Sequence, residues 1–271
     1  MKNLFLACAV IILTLSGKLI AQTDEADKNL SFEPVEGKIV GIWPHENKLR
    51  SPEKLNELKD KYGFNYILIA APYGDEWLAS VRKSGYDFDH VMKQLYYPDL
   101  VNRPDWFWNN VKETGKVWAY YFDEPISRKF PYTGIVDLMA ELADKGYYPH
   151  AKFVVGELDE RKAIRFDNLS EVYMYSGYGT RGKMGLDQAE YWNTWKNYLG
   201  NKFSMVWIST VEDSLEYGTL LKTARDMGMQ GVWLYQYEPL PAEGETSDSN
   251  LLKFCEAAAE YGFLKIKKNS K

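Results

Sequence analysis

A short apolar segment that recurs eight times along the chain is the feature that most limits its possible folds. The eight segments are Lys38–Pro44, Tyr66–Pro72, His90–Pro98, Val117–Pro125, His150–Glu157, Glu171–Gly177, Phe203–Thr210 and Gly231–Pro239. Each is of strand length and rich in β-branched and aromatic residues, which is typical of a buried β-strand. The third is the least apolar, because Lys93 and Gln94 lie within it.

Helical segments are predicted between most of these strands. Ser51–Gly63 shows the full pattern, with a serine cap, a proline at the first helical position, an acidic first turn and a terminal glycine. Five further segments have apolar residues at helical intervals and a final glycine: Pro104–Gly115, Thr133–Gly146, Leu186–Gly200, Ser214–Gly228 and Ser249–Gly262. A shorter helix is predicted around Asp159–Ile164.

Eight strands alternating with helices predict a parallel sheet closed into a single (β/α)₈ TIM barrel of the α/β class. We expect the barrel domain to span residues 38–265, after a leader segment at 22–37 and before a basic tail at 266–271. An open doubly wound sheet is the alternative. It would usually carry a glycine-rich turn after the first strand, whereas here that strand runs into WPHENKLRSPEK.

Residues 1–21 have the layout of a secretory signal peptide. A cationic start precedes the apolar run Leu4–Leu15, which is too short to span a membrane, and a small residue, Ala21, ends the segment. This layout predicts export, with an uncleaved anchor or a lipoprotein modified at Cys8 as the alternatives. The mature chain would keep one cysteine, Cys255, and therefore no internal disulfide. The net charge of −5 and the dispersed basic residues give no footprint for nucleic acid.

The functional face of such a barrel is the rim where the strands' carboxyl ends meet. The residues that the predicted strands deliver there are Trp43 and His45; Tyr73, Asp75 and Glu76; Tyr96 and Tyr97; Tyr121, Asp123 and Glu124; Glu157; Tyr175, Tyr178 and Arg181; Trp207 and Ser209; and Tyr235, Gln236, Tyr237 and Glu238. Aromatic faces pack against the C–H patches of sugar rings, and carboxylates, amides and phenols bind sugar hydroxyls. We therefore expect a glycan or glycoside substrate, bound by Trp43, Tyr73, Tyr121, Glu157, Tyr175, Trp207, Tyr235, Gln236 and Glu238.

The segment VWAYYFDEP, Val117–Pro125, delivers two adjacent carboxylates after six apolar or aromatic residues. Burying such a pair without partners is costly. Neighbours in a strand point to opposite faces, so both can reach one site only where the strand ends, and Pro125 is consistent with an end there. We therefore expect Asp123 and Glu124 to be catalytic. If Glu124 is a general acid, the aromatic wall and the charge of Asp123 should raise its pKa.

These residues resemble the glycoside hydrolases. In the large retaining clan, strand four ends in Asn-Glu-Pro, which is similar to Asp123-Glu124-Pro125, and a second Glu ends strand seven. Strand seven here reads Trp207-Ile208-Ser209-Thr210, without a carboxylate. The pair is more similar to the β-N-acetylhexosaminidases, including the N-acetylgalactosaminidase group. That resemblance implies that Glu124 is the general acid/base, that Asp123 orients the substrate's acetamido nucleophile, and that Tyr175 or Tyr235 binds the acetamido oxygen.

Two other functions fit the same residues. A carbohydrate-binding barrel without catalysis would keep the aromatic rim and use Asp123 and Glu124 only to accept sugar hydroxyls. A metal-dependent barrel enzyme would bind a divalent cation through Asp123, Glu124, Glu157 and Glu238. The sequence contains no H-x-H or H-E-x-x-H motif for zinc, and neither a metal nor a cofactor is part of the main prediction.

Overall fold

The computed structural model describes residues 30–44, 49–70, 74–147, 152–157, 160–166, 172–175, 188–209, 217–236 and 247–267. Its strands are β1 (Phe32–Pro34), β2 (Ile39–Pro44), β3 (Tyr66–Ile69), β4 (Val91–Gln94), β5 (Ala119–Asp123), β6 (Lys152–Glu157), β7 (Val172–Tyr175), β8 (Phe203–Ser209), β9 (Gly231–Gln236) and β10 (Leu264–Ile266). Strands β2 to β9 are parallel and follow chain order around a closed barrel, which six residue pairs between β2 and β9 complete. The eight predicted strands and the closed barrel are confirmed.

Helices follow most of the barrel strands and cover them from outside. The α-helices are Pro52–Asp60, Gly74–Lys83, Tyr97–Asn102, Pro104–Thr114, Tyr132–Asp144, Glu160–Ala163, Gln188–Leu199, Tyr217–Asp226 and Ser247–Glu260. The first begins as its sequence predicts, because the Ser51 hydroxyl accepts a hydrogen bond from the Lys54 N–H at 3.2 Å and Pro52 opens the helix. None of the helices within the described ranges is both long and apolar enough to cross a bilayer.

Two helices were not predicted. The helix Gly74–Lys83 contains Asp75 and Glu76, which were predicted as rim residues after the second strand, and it buries Trp77, Leu78 and Val81 against the barrel. Tyr97–Asn102 is a six-residue helix that begins where the predicted third strand was expected to continue. The strand itself, β4, ends at Gln94. Tyr97 therefore opens a helix instead of ending a strand.

The predicted leader and tail contribute a small second sheet. Strand β1 pairs antiparallel with β10, so that Phe32 lies opposite Ile266 and Pro34 opposite Leu264. Phe32 is fully buried, and its N–H donates to the Lys61 carbonyl at 2.7 Å. Residues 32–34 of the predicted leader and residue 266 of the predicted tail are thus part of the folded domain. The sequence does not indicate these strands, because three residues are too few to show a periodic pattern. Residues 1–21 and the end of the basic tail lie outside the described residues.

Large aromatic side chains fill the inside of the barrel. Trp233 is fully buried there, with Tyr66 and Trp118 each 6.3 Å away between ring centroids. Glycine on a neighbouring strand makes room for such a ring, as Gly41 of β2 does for Trp233 of β9. A Cβ on Gly41 would lie 2.2 Å from the Trp233 ring, closer than atoms can approach. A glycine beside an indole thus lets the barrel interior, which usually holds branched aliphatic residues, accommodate an aromatic one.

Candidate functional site

The carboxyl end of β5 positions the two predicted catalytic residues. Alternation along the strand directs Tyr121 and Asp123 to the same face, where the Asp123 Cα is paired with Gly156 of β6. Asp123 is the last residue of the strand and is 6% exposed, although it is a carboxylate. A buried carboxylate is stable only if its oxygens are hydrogen-bonded or paired with a cation.

Among the described residues, three side chains donate hydrogen bonds to Asp123. The Tyr121 hydroxyl donates to Oδ1 at 3.1 Å. The Arg128 guanidinium donates to Oδ2 at 2.6 Å, and the Gln94 amide donates to the same oxygen at 3.4 Å. The Arg128 contact is also an ion pair with a side chain that is itself partly exposed. These donors come from β4, from β5 and from the turn after β5, and together they fix both oxygens of the carboxylate.

Burial raises the pKa of Asp123 above its usual value, whereas the charge of Arg128 and the hydrogen bonds from Tyr121 and Arg128 act in the opposite direction. For Arg128, burial alone would lower the pKa, but the charges of Asp123 and Glu124 outweigh it and raise the pKa. The guanidinium is therefore a permanent cation between the two acidic residues.

Glu124 lies in a different setting from its neighbour. Its backbone φ is +49°, a left-handed conformation that is unusual for a residue other than glycine. Its N–H donates to the Gly156 carbonyl at 2.8 Å, which extends the β5–β6 pairing by one bond. Its side chain is 17% exposed and lies 3.8 Å from the same Arg128 nitrogen that binds Asp123. The strand thus ends in a kink that lets two consecutive acidic residues meet one cation.

An aromatic cluster adjoins this acidic pair inside the barrel. The Trp207 indole N–H donates to the Tyr121 hydroxyl at 3.2 Å, and the two rings meet edge to face. Trp43 lies 5.9 Å from Trp207 and 4.8 Å from Tyr235 between ring centroids. Contacts therefore run without a break from Asp123 through Tyr121, Trp207 and Trp43 to Tyr235.

Five of the predicted site residues are thus brought together, namely Asp123, Tyr121, Trp207, Trp43 and Tyr235, with Glu124 beside them. The backbones of Glu157 and Tyr175 pair with each other at the ends of β6 and β7, and Gln236 pairs with Pro44 at the end of β9. The side chains of these three lie outside the described part of the structure, as do Tyr73 and Glu238 entirely. Their predicted roles stay predictions.

Comparison with known proteins bears on the architecture. No protein-family model matches the chain, and no curated protein sequence matches it. An aldo/keto reductase from Brucella melitensis aligns at 12% identity over 82% of this chain and 88% of its own, with a TM-score of 0.52. Protein CitE from Mycobacterium tuberculosis, in complex with magnesium and acetate, aligns at 10% identity over 81% and 90%, with a TM-score of 0.50. This chain is a TIM barrel. At such identities the likeness extends to the fold alone.

Three residues of this TIM-barrel site were not predicted from the sequence. Gln94 is the last residue of β4, and its amide binds Asp123. Its polarity makes the segment look less like a strand in the sequence, but it indicates a position at the rim. Arg128 lies in the turn Glu124–Phe130, where no periodicity identifies a contact, and only its spacing of four residues from Glu124 suggests one. Gly156 has no side chain that could indicate a role from the sequence, but the Tyr121 hydroxyl occupies the space where its Cβ would lie.

Within the ranges that the structure describes, no group of three or more His, Cys, Asp or Glu side chains is arranged to hold a metal ion. The acidic set considered for a divalent cation includes Glu157 and Glu238, whose side chains are not among those described. In the described part, the nearest cation partner of the acidic pair is Arg128, which occupies Asp123 Oδ2 at ion-pair distance.

Proposed function

We propose that this protein is an exported glycoside hydrolase that binds its substrate at the barrel mouth, with Glu124 as general acid/base and Asp123 assisting it. The observation that carries the proposal is the unequal treatment of two adjacent acidic residues at the end of β5. Asp123 is buried and fixed by three donors, whereas Glu124 is more exposed and lies on a strained backbone. Glycoside cleavage uses two acidic groups with different tasks.

The strain at Glu124 supports a functional role. A non-glycine residue in the left-handed region costs about 1–2 kcal/mol relative to ordinary backbone, and such strain is concentrated at active sites. In this turn the strained residue is also an acidic one at the carboxyl end of a barrel strand, where TIM-barrel enzymes hold their catalytic groups. The strained turn and its position at a strand end both support Glu124 as the residue that meets the substrate.

The charge balance of the cluster supports a neutral sugar. With Glu124 protonated, as a general acid must be, the charges of Asp123 and Arg128 balance, and the cluster reaches a net charge of −1 as Glu124 gives up its proton. That negative charge develops together with the positive charge at the anomeric carbon and stabilises it, and the cluster offers no surplus cation for an anionic substrate. The adjoining Tyr235 is only partly buried and packs on the buried Trp43, and its ring supplies an aromatic face of the kind that packs against sugar rings.

The division of labour follows from accessibility. Glu124 has the more exposed carboxylate and is suited to exchange a proton with the leaving oxygen and then with water. Asp123 is held as a fixed acceptor and is suited to receive the N–H of an acetamido group. This assignment corresponds to the substrate-assisted mechanism that the resemblance to the β-N-acetylhexosaminidases implies.

The test is product release from a panel of N-acetylated and plain glycans by the wild-type protein and by Glu124→Gln. We expect Glu124→Gln to lower kcat by about 100- to 10,000-fold, the range for loss of a general acid. Glu141→Gln is the matched control, since Glu141 is exposed on the outer helix Tyr132–Asp144 and pairs with Lys145. It should keep the wild-type rate, and both variants should unfold at the wild-type temperature.

Three results would contradict the proposal in different ways. Wild-type turnover by a folded Glu124→Gln would remove its catalytic role. Saturable glycan binding by the wild type without any product would favour the non-catalytic binding barrel. Loss of turnover on chelation with EDTA, with recovery on adding magnesium, would favour the metal-dependent alternative.

The substrate-assisted step has its own test in the same panel. Asp123→Asn should lower kcat/KM on N-acetylated substrates far more than on their plain counterparts, because only the former have an acetamido group to orient. Equal losses on both classes would leave a hydrolase without substrate assistance.

A further inference from the structure

Tyr121 was predicted to contact the substrate, but its surroundings indicate another role. Its side chain is fully buried, and its hydroxyl lies between Trp207 and Asp123. An indole N–H can only donate, so the phenol oxygen accepts from Trp207. The single phenol hydrogen is then directed at Asp123 Oδ1. The hydrogen-bond chain therefore has one direction, from Trp207 through Tyr121 to the carboxylate.

Gly156 gives this chain its room. A Cβ on Gly156 would lie 2.2 Å from the Tyr121 hydroxyl oxygen and 2.9 Å from two of its ring carbons, so any larger residue would displace the phenol. The backbone of the same glycine accepts the Glu124 N–H at 2.8 Å. Gly156 thus affects both acidic residues. Its lack of a side chain leaves space for the Tyr121 hydroxyl that binds Asp123, and its carbonyl accepts the N–H of Glu124.

We propose that Tyr121 is a positioning residue for Asp123 and that Gly156 and Trp207 hold its hydroxyl in place. The two oxygens of Asp123 are treated separately. Arg128 and Gln94, from a turn and from a neighbouring strand, bind Oδ2, whereas Tyr121, from the same strand, binds Oδ1. Loss of the Oδ1 donor leaves a carboxylate that can rotate about its remaining partners, and catalysis is sensitive to such rotation.

The role in catalysis rests on the proposed function, but the positioning itself can be measured without a substrate. The experiment is a pH titration of Asp123 by NMR with ¹³C-labelled aspartate, using Asp123→Asn to identify the signal. Tyr121→Phe removes the hydroxyl and keeps the ring. Because the lost hydrogen bond favours the charged form, the pKa of Asp123 should rise further in Tyr121→Phe.

The chain offers a close control for that variant. Tyr120 is the preceding residue in β5 and is equally buried, and within the described residues its hydroxyl has no hydrogen-bond partner. Tyr120→Phe is the same chemical change on the opposite side of the strand. It should leave the Asp123 titration where it is in the wild type. An equal shift in both variants, or no shift in Tyr121→Phe, would overturn the proposal.

Gly156→Ala provides a second route in case Tyr121→Phe is poorly folded. It should move the Asp123 titration in the same direction by pushing the phenol aside. Gly134→Ala is its control, because there a Cβ would lie 2.3 Å from the hydroxyl of Tyr97, a tyrosine outside this hydrogen-bond chain. When Gly156→Ala and Tyr121→Phe are combined, their shifts of the Asp123 pKa should not add, since both changes break the hydrogen bond from Tyr121 to Asp123. Additive shifts would contradict a shared route.

Activity separates this proposal from the proposed function. If the protein is a glycoside hydrolase, Tyr121→Phe should lower kcat by up to about 100-fold, as misplacement of a catalytic group does, with KM changed far less. A titration shift without glycan turnover in any variant would retain the positioning role and remove the hydrolase. Turnover that Tyr121→Phe leaves intact despite the titration shift would show that Asp123 needs no such positioning.

Discussion

The two sides of strand β5 use similar aromatic residues for different purposes. On the outer side, Tyr120 and Phe122 pack against Phe153 of β6, with ring centroids 6.2 and 6.0 Å away. On the inner side, Tyr121 meets Trp207 at 5.9 Å, but there the hydroxyl and the indole N–H are hydrogen-bonded and lead to Asp123. The outer side contributes apolar burial, and the inner side contributes a fixed arrangement of polar groups.

This difference shows how a barrel strand can stabilise the fold and build a site at once. Burial raises the pKa of Tyr120, which stays neutral in an apolar layer between sheet and helices. The hydroxyl of Tyr121, by contrast, has a donor on one side and a carboxylate on the other. We therefore expect substitutions on the outer side to change stability chiefly, and substitutions on the inner side to change function chiefly.

The largest effect on stability is expected on the outer side. Phe122→Ala removes a nearly fully buried ring and should lower the free energy of unfolding by about 3–5 kcal/mol. Tyr121→Phe, which removes one hydrogen bond on the inner side, should lower it by about 1 kcal/mol. Urea unfolding of both variants measures the two values. The comparison between the two sides would be broken if Tyr121→Phe proved the more destabilising of the two.

A pH-dependent effect is expected on the inner side. The folded pKa of Asp123 is raised above its ordinary value of 3.8, chiefly by burial. Between the unfolded and folded pKa values the native state binds more protons, so this group makes the protein less stable as the pH rises through that window. Asp123→Asn has no such cost. Its stability relative to the wild type should therefore increase from about pH 4 upward and level off above the folded pKa.

The size of this effect reports the raised pKa directly. Each pH unit between the two pKa values is worth about 1.4 kcal/mol of unfolding free energy. The measurement is urea unfolding of both proteins at a series of pH values. A wild type that gains stability over Asp123→Asn as the pH rises would mean that Arg128, Tyr121 and Gln94 together outweigh the cost of burial.

The fold could be predicted because its signals are local and repeated. Most barrel strands are apolar on both sides, and six predicted helices end in a glycine, so the alternation of strands and helices was visible along the sequence. The helix Gly74–Lys83 was not predicted, because Asp75 and Glu76 also fit residues of the rim. The spacing of Trp77, Leu78 and Val81 on one helical face could have identified it.

The site could be predicted only in part, for a physical reason. Asp123 and Glu124 are conspicuous because they continue an apolar strand, and acidic side chains are rarely buried unless they are paired. Their partners are not, because Arg128 reaches them from a turn, and turns have no periodicity to read. The hydroxyl chain through Tyr121 and the space left by Gly156 depend on contacts between strands that are distant in sequence, and one chain alone does not reveal which strands face each other so closely.

The smallest predicted effect extends the comparison into the turn after β5. Glu124 and Lys129 both have positive φ, at +49° and +60°, and both lie in the segment that joins β5 to the helix Tyr132–Asp144. Glycine adopts this conformation without strain. Glu124→Gly and Lys129→Gly should therefore each raise the free energy of unfolding by up to about 1 kcal/mol, a gain reduced by the greater freedom of glycine in the unfolded chain.

Glycan turnover should distinguish Glu124→Gly from Lys129→Gly, although both are expected to have similar stability. Glu124→Gly removes the proposed acid and should abolish turnover, whereas Lys129→Gly keeps the acidic pair and Arg128 and should retain it. Thermal unfolding and glycan turnover of both proteins test the pair. If the strain at Glu124 results from holding an acidic side chain at the rim, only Glu124→Gly should gain stability and lose turnover. Loss of turnover in Lys129→Gly as well would mean that the conformation of the whole turn, and not the carboxylate alone, sets the geometry of the site.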